Sequence, residues 1–277
     1  MTVAISCNLS EGVILGVDSA VTVPSPDGGV VKVYEDGDKL FQLGNKPIGI
    51  AVFGLGGFAS RSIGSYIREF ESKNEAMLAG KTNIKNIVEE LRSFFMGVYA
   101  ENVIRPIEAE TKKEWKDIPR EQRPAFGLVI GGFSDGEYLS EVWQIFLPDH
   151  DKESSAALMR GQGNFGTNWF AMFEPIHRYI LGFSPALVDQ LLEYLIREKN
   201  VQLDQKDQEE IGKIMAGFEY PIPFPALPMK GGIEHTRFLV ELVINHHKYA
   251  IGAPVVGGKA KIGMVTYKGD QFKILDS

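Results

Sequence analysis

The chain has a single cysteine, Cys7, in 277 residues. No disulfide can close within it, and its cysteine usage gives no sign of an oxidising compartment. No apolar run approaches the ~20 residues of a membrane-spanning helix. The start of the chain also lacks the basic region and apolar stretch of a secretory signal. Surplus positive charge is missing too: 29 Lys and Arg stand against 36 Asp and Glu, a net charge of −7. The acidic groups are spread along the sequence, which argues against a surface for nucleic acid or an anionic membrane. The five histidines (His150, His177, His235, His246 and His247) have no metal-ligand spacing, and His246 and His247 point to different sides of a helix. The glycine-rich stretch FGLGGFAS (Phe53 to Ser60) precedes a helical pattern but lacks the Lys-Ser/Thr ending and the spacing of phosphate-binding loops. Neither a metal nor a cofactor is expected, and a cytoplasmic location is the default.

What is present is a core-forming composition, 44% hydrophobic and 23% charged, with no repeat, low-complexity tract or interdomain linker. Two strand-like runs, TVAISC and GVILGV, open the chain, with Cys7 as a small core residue. The turn VPSPDGG and the runs KLFQLG and IGIAVFG extend them into an antiparallel meander. The period then changes. Ile63, Tyr66, Ile67 and Phe70, followed by Ile84, Ile87, Val88, Leu91 and Phe94, recur at helical spacing, with Thr82 as N-cap of the second helix. Strands return at FGLVIGGF and YLSEVWQIFL, and a short one near AALMRG leads into a helix expected over Thr167 to Ile180. Ser184-Pro185 starts another helix, Asp204 to Lys213 is a solvated one, and YPIPFPALPMKGG is a loop. A helix over Glu234 to Lys248 and two strands close the chain. This order predicts an α+β fold of two stacked sheets with a helical layer outside each, in one domain over residues 1–277. Phe183 to Ile233 reads as an insertion.

Several of these stretches, taken in order, resemble proteasome β subunits. The start TVAISCNLSEGVILGVDSAVT has an N-terminal threonine, a hairpin and Gly-x-Asp-(Ser/Thr)-x-x-Thr. GDKLFQLG is similar to the family's Lys-(Ile/Leu)-Phe strand, and IAVFGLGG to its small-residue strand end before the first helix. FGLVIGGFSDGEYL, MRGQGNF and GGKAKIGMVT match a hairpin, a Gly-Ser-Gly turn and a late strand of the same pattern. The resemblance implies the four-layer αββα sandwich of N-terminal-nucleophile hydrolases. With only Met1 ahead of Thr2, the bacterial branch is the closer match.

Thr2 has a chemical case of its own. A free α-amine titrates near pH 8, and in an N-terminal threonine it is tethered beside the hydroxyl it would deprotonate. A β-branched residue opening a strand is the competing reading. The resemblance implies Asp18 as the carboxylate that orders a site lysine, with Ser19 supporting it. It implies Gly54 as the backbone donor to an oxyanion, and Val52 as a wall of the substrate pocket. The lysine is expected at Lys32, on the strand after the VPSPDGG turn, with an insertion at YEDGD, while Lys39 matches a structural lysine of the pattern. Gln162 stands where the family's turn has a supporting serine. Ala253 and Val256 replace a carboxylate and a hydroxyl of its late segment.

The expected activity is peptide-bond hydrolysis through an acyl-Thr2 enzyme in a homo-oligomer, a ring or related assembly with an ATPase as a further partner. Two alternatives stay open: transfer of the acyl group to an amine or cleavage of a small amide, and a non-catalytic scaffold of the same fold.

Overall fold

The structure is a computed structural model, and it describes residues 2–24, 30–148, 156–252, 255–268 and 271–275. The VPSPDGG turn, apart from its first two residues, lies largely outside them, as does Ala253. Strands β1 (Val3–Leu9) and β2 (Gly12–Asp18) are followed by a ribbon of β3 (Val21–Pro24) and β4 (Val30–Tyr34), then by β5 (Leu40–Gln42) and β6 (Ile48–Gly54). The short strands β7 (Gly57–Phe58) and β8 (Arg61–Ser62) lead into helices α1 (Ile63–Lys73), α2 (Glu75–Ala79), α3 (Ile84–Tyr99) and α4 (Arg105–Thr111). Next come β9 (Phe126–Gly132), β10 (Glu141–Leu147), β11 (Ala157–Arg160) and β12 (Gly166–Ala171). Helices α5 (Glu174–Ile180), α6 (Pro185–Lys199), α7 (Gln205–Ala216) and α8 (Met229–Tyr249) precede β13 (Ala260–Thr266) and β14 (Lys273–Leu275).

Two five-stranded antiparallel sheets result, ordered β12-β1-β2-β13-β14 and β11-β10-β9-β6-β5. Every residue of β1 and β2 is buried, because both faces of this sheet are covered. Period-two alternation divides the two faces. Ala4, Val13, Leu15 and Val17 pack with Leu40, Ala51, Phe53 and Val129 between the sheets, while Cys7, Leu9, Ile14 and Ile262 face the other way. On that outer face a Cβ on Gly16 would lie 2.6 Å from the Thr236 methyl of α8, so glycine there permits the close approach of helix to sheet. On the second sheet, Ile48, Ile50, Leu128 and Ile130 meet Ile63, Ile67 and Phe70 of α1 and Ile87, Val88, Leu91 and Phe95 of α3. Helix, sheet, sheet, helix: the architecture is a four-layer αββα sandwich, and it is α+β.

The chain divides into two compact units, Met1–Met172 with Phe224–Ser277, and Phe173–Pro223. The second carries α5, α6 and α7.

Local differences from the sequence reading have identifiable causes. Thr167 to Phe170 lie in a strand, since β12 pairs along β1 from Asn8↔Gly166 to Val3↔Ala171. The helix that follows waits for Pro175 in its first turn. The cap of α3 is Asn83, whose side chain accepts from Asn86 N–H; Thr82 lies one residue before the cap, and its N–H donates to Asp135 Oδ2. Phe94 is only partly buried, and Phe95 fills the core in its place. Helix α8 starts at Met229, five residues before the expected Glu234.

Candidate active site

Thr2 immediately precedes β1 and is only 3% exposed. Its carbonyl accepts from Met172 N–H at 3.1 Å. Asp18, the last residue of β2, is fully buried. A buried carboxylate is tolerated only when its oxygens are satisfied, and these are. Oδ1 accepts from Val3 N–H at 3.1 Å and from Lys39 Nζ at 2.9 Å. Oδ2 accepts from Ala20 N–H and Gly257 N–H, both at 3.2 Å. Lys39 Nζ also donates to Thr2 Oγ1 at 2.9 Å, so one ammonium bridges hydroxyl and carboxylate.

Lys39 stands directly before β5, and its carbonyl accepts from Val52 N–H of β6 at 2.9 Å. Burial holds its pKa below the ordinary lysine range, against the pull of Asp18, which favours the charged form. It therefore gives up a proton more readily than a surface lysine, at a distance where the hydroxyl can take part.

A cavity of about 70 Å³ opens beside this trio. Val52 and Gly54 line it with Thr2 and Lys39, and Val21, Leu55 and Ile63 add apolar wall. Gly54 has φ of +83°, and a Cβ there would lie 2.2 Å from Ala125 O, so two independent constraints require glycine. Among the described residues, no group of three or more His, Cys, Asp or Glu could hold a metal ion, and no helix is long and apolar enough to cross a membrane.

The lysine that meets Thr2 and Asp18 is thus Lys39 and not the expected Lys32. Strands β3 and β4 form a ribbon outside both large sheets. Lys32 on that ribbon is exposed, with Nζ 4.6 Å from the centroid of the Tyr34 ring. The chain then re-enters through residues 35–38, and Lys39 is the first side chain to be buried again. This return segment is tied down. Ser19 Oγ donates to Glu35 O, Gly37 N–H donates to Ser19 O at 2.7 Å, and Lys261 Nζ pairs with Asp36 at 3.0 Å and Asp38 at 3.1 Å. Ser19, itself buried, also accepts from Lys259 N–H. It supports the segment that ends on Lys39.

Gln162 is exposed in the β11–β12 turn and lines a different hollow with Thr82 and Trp143. The turn that does reach Thr2 is Ala171–Met172, where Ala171 has φ of +65°. Reading a helix from Thr167 hid this turn, and Pro175 three residues beyond Met172 was the available clue. Val256 is fully buried, and its neighbour Gly257 reaches Asp18 through backbone alone, so that contact needs no particular side chain.

No family model matches the chain, and no curated protein matches it. A solved structure does: the Anbu (Gly-1) mutant from Hyphomicrobium sp. strain MC1, with a TM-score of 0.52 and 9% identity, covering 100% of this chain and 88% of that one. The likeness is to a proteasome-like fold. At this identity the likeness shows the fold alone. Within a proteasome-like sandwich, the Thr2 trio sits at the start of β1 and the end of β2, with its lysine supplied by the facing sheet.

Proposed function

We propose that the protein is a threonine peptide hydrolase in which Thr2, freed of Met1, is the nucleophile. The observation that carries this reading is the single ammonium of Lys39 at 2.9 Å from both Thr2 Oγ1 and Asp18 Oδ1. Thr2 Oγ attacks the carbonyl carbon of the scissile bond as its proton passes to the free α-amine, with Lys39 stabilising the developing alkoxide. Gly54 N–H stabilises the oxyanion, an arrangement that contributes about 3 kcal/mol in other enzymes. Collapse of the tetrahedral species expels the amine, which takes up the proton, and leaves an acyl ester on Thr2. Water, deprotonated by the Thr2 α-amine, attacks the ester carbonyl, and the amine returns that proton to Thr2 Oγ as the acid leaves. Asp18 holds Lys39 in place, and Val52 bounds the pocket for the acyl side chain.

The test is chemical. Mass spectrometry of the N-terminal peptide after treatment with a peptide epoxyketone is expected to show one adduct on Thr2, absent from T2A. A verified Met1-free sample that forms no adduct would overturn the reading.

A further inference from the structure

The cavity beside Thr2 measures about 70 Å³ and is walled by Ala20, Val21, Val52, Leu55 and Ile63. Thr2 and Gly54 line it as well. A carbonyl carbon held between the Thr2 hydroxyl and the Gly54 N–H therefore sends its own side chain into this space. A cavity of about 150 Å³ takes benzene, and less than half of that volume takes roughly three carbons, the size of a valine side chain. The back of the cavity is fixed. Val52 and Ile63 are 3% and 2% exposed and belong to the core between β6 and α1. Val52 stands opposite Leu128 in the pairing of β6 with β9, and its N–H donates to Lys39 O at 2.9 Å. Leu55 packs against the same core, and its N–H donates to Ala125 O at 2.9 Å. Moving these walls to admit a larger guest would disturb a close-packed interior.

The lining offers no uncommitted charge. Among the described residues, its charged members are Lys39 and Asp38. The Lys39 ammonium is already shared between Thr2 Oγ1 and Asp18 Oδ1. The Asp38 side chain is 79% exposed and pairs with Lys261 at 3.1 Å. A charged side chain entering the cavity would lose its hydration and gain no partner. Resting on the reading of Thr2 as the acylated nucleophile, we infer that the protein selects substrates by the residue whose carbonyl is attacked. It accepts there a small, uncharged side chain no larger than that of valine. Leucine and phenylalanine meet Val52 and Ile63, and an excess methylene in an apolar pocket costs about 10–200-fold in kcat/KM. Lysine and glutamate are refused for want of a counter-charge.

The test uses the Met1-free full chain and a set of peptide epoxyketones identical except for the residue that bears the reactive group. That residue is alanine, valine, leucine, phenylalanine, lysine or glutamate. Mass spectrometry of the N-terminal peptide follows the rate of adduct formation. Alanine and valine are expected to react fastest, leucine about tenfold more slowly, and phenylalanine, lysine and glutamate more slowly still. A leucine, phenylalanine, lysine or glutamate compound that matches the valine one overturns the inference and leaves Thr2 its role. No adduct with any member overturns the nucleophile reading and the inference with it. V52A then locates the limit. Its leucine-to-valine rate ratio is expected to rise about tenfold, a change of selectivity that general damage to the site does not produce. An unchanged ratio in folded V52A overturns the inference. Should V52A unfold, the wild-type series decides alone.

Discussion

The Thr2 site and the α6–α7 pair treat their side chains in opposite ways. At the site, three polar residues that would be costly to bury are buried and mutually satisfied, with exposures of 3%, 0% and 7% for Thr2, Asp18 and Lys39. In the helical pair, apolar residues that would gain from burial are left in solvent. The first arrangement fixes geometry at the expense of desolvation, and it makes sense where chemistry depends on geometry. The second forgoes the hydrophobic stabilisation that burial would supply.

If the contrast is real, perturbations should rank accordingly. The largest effect belongs to D18A. It strands a buried ammonium and three backbone donors, and a loss of about 3–5 kcal/mol is expected, read as a lowered midpoint in urea together with loss of Thr2 acylation. G54A comes next. Its methyl must displace Ala125 O and adopt a positive φ, so a loss of roughly 1–3 kcal/mol is expected, with slower acylation in the fraction that folds.

The third effect appears in pH dependence. Lys39 has a lower pKa folded than unfolded, so the unfolded state binds more protons between the folded value and the ordinary 10.5. Stability therefore rises with pH across that window. In K39M this contribution to the slope is expected to vanish, which urea titrations at several alkaline pH values would detect. Below the lowered value both states are fully protonated and the slope from this group is zero. The smallest effect is K32A, an exposed ribbon residue, for which a change within about 0.5 kcal/mol and unaltered acylation are expected. Strong loss of acylation in K32A would return Lys32 to the site and undo the contrast.

Much of the fold was legible because its signals are local. The short apolar runs of β1 and β2, the 3.6-residue stripe of α3 and the proline at the start of α6 each report their own element. Thr2 and Asp18 were legible because one hairpin carries both. Lys39 was not, since its place depends on how far the chain travels through the β3–β4 ribbon before rejoining a sheet, and residues 35–38 carry no periodicity to measure that. Gln162 was misplaced for a related reason. Glycines flank it as they flank the family serine, but the strand pairing of β12 with β1 moves the turn near Thr2 ten residues onward, to Ala171–Met172. Pairing between distant segments decides such positions, and propensity within a segment does not report it.

The donors around Asp18 have one more consequence, which concerns time. Val3 and Ala20 lie close to it in sequence, but Gly257 follows 239 residues later. A ribosome makes Thr2, Asp18 and Lys39 early. The order of synthesis therefore leaves Asp18 one donor short, and β2 without its neighbour β13, until the last segments of the sandwich have been made.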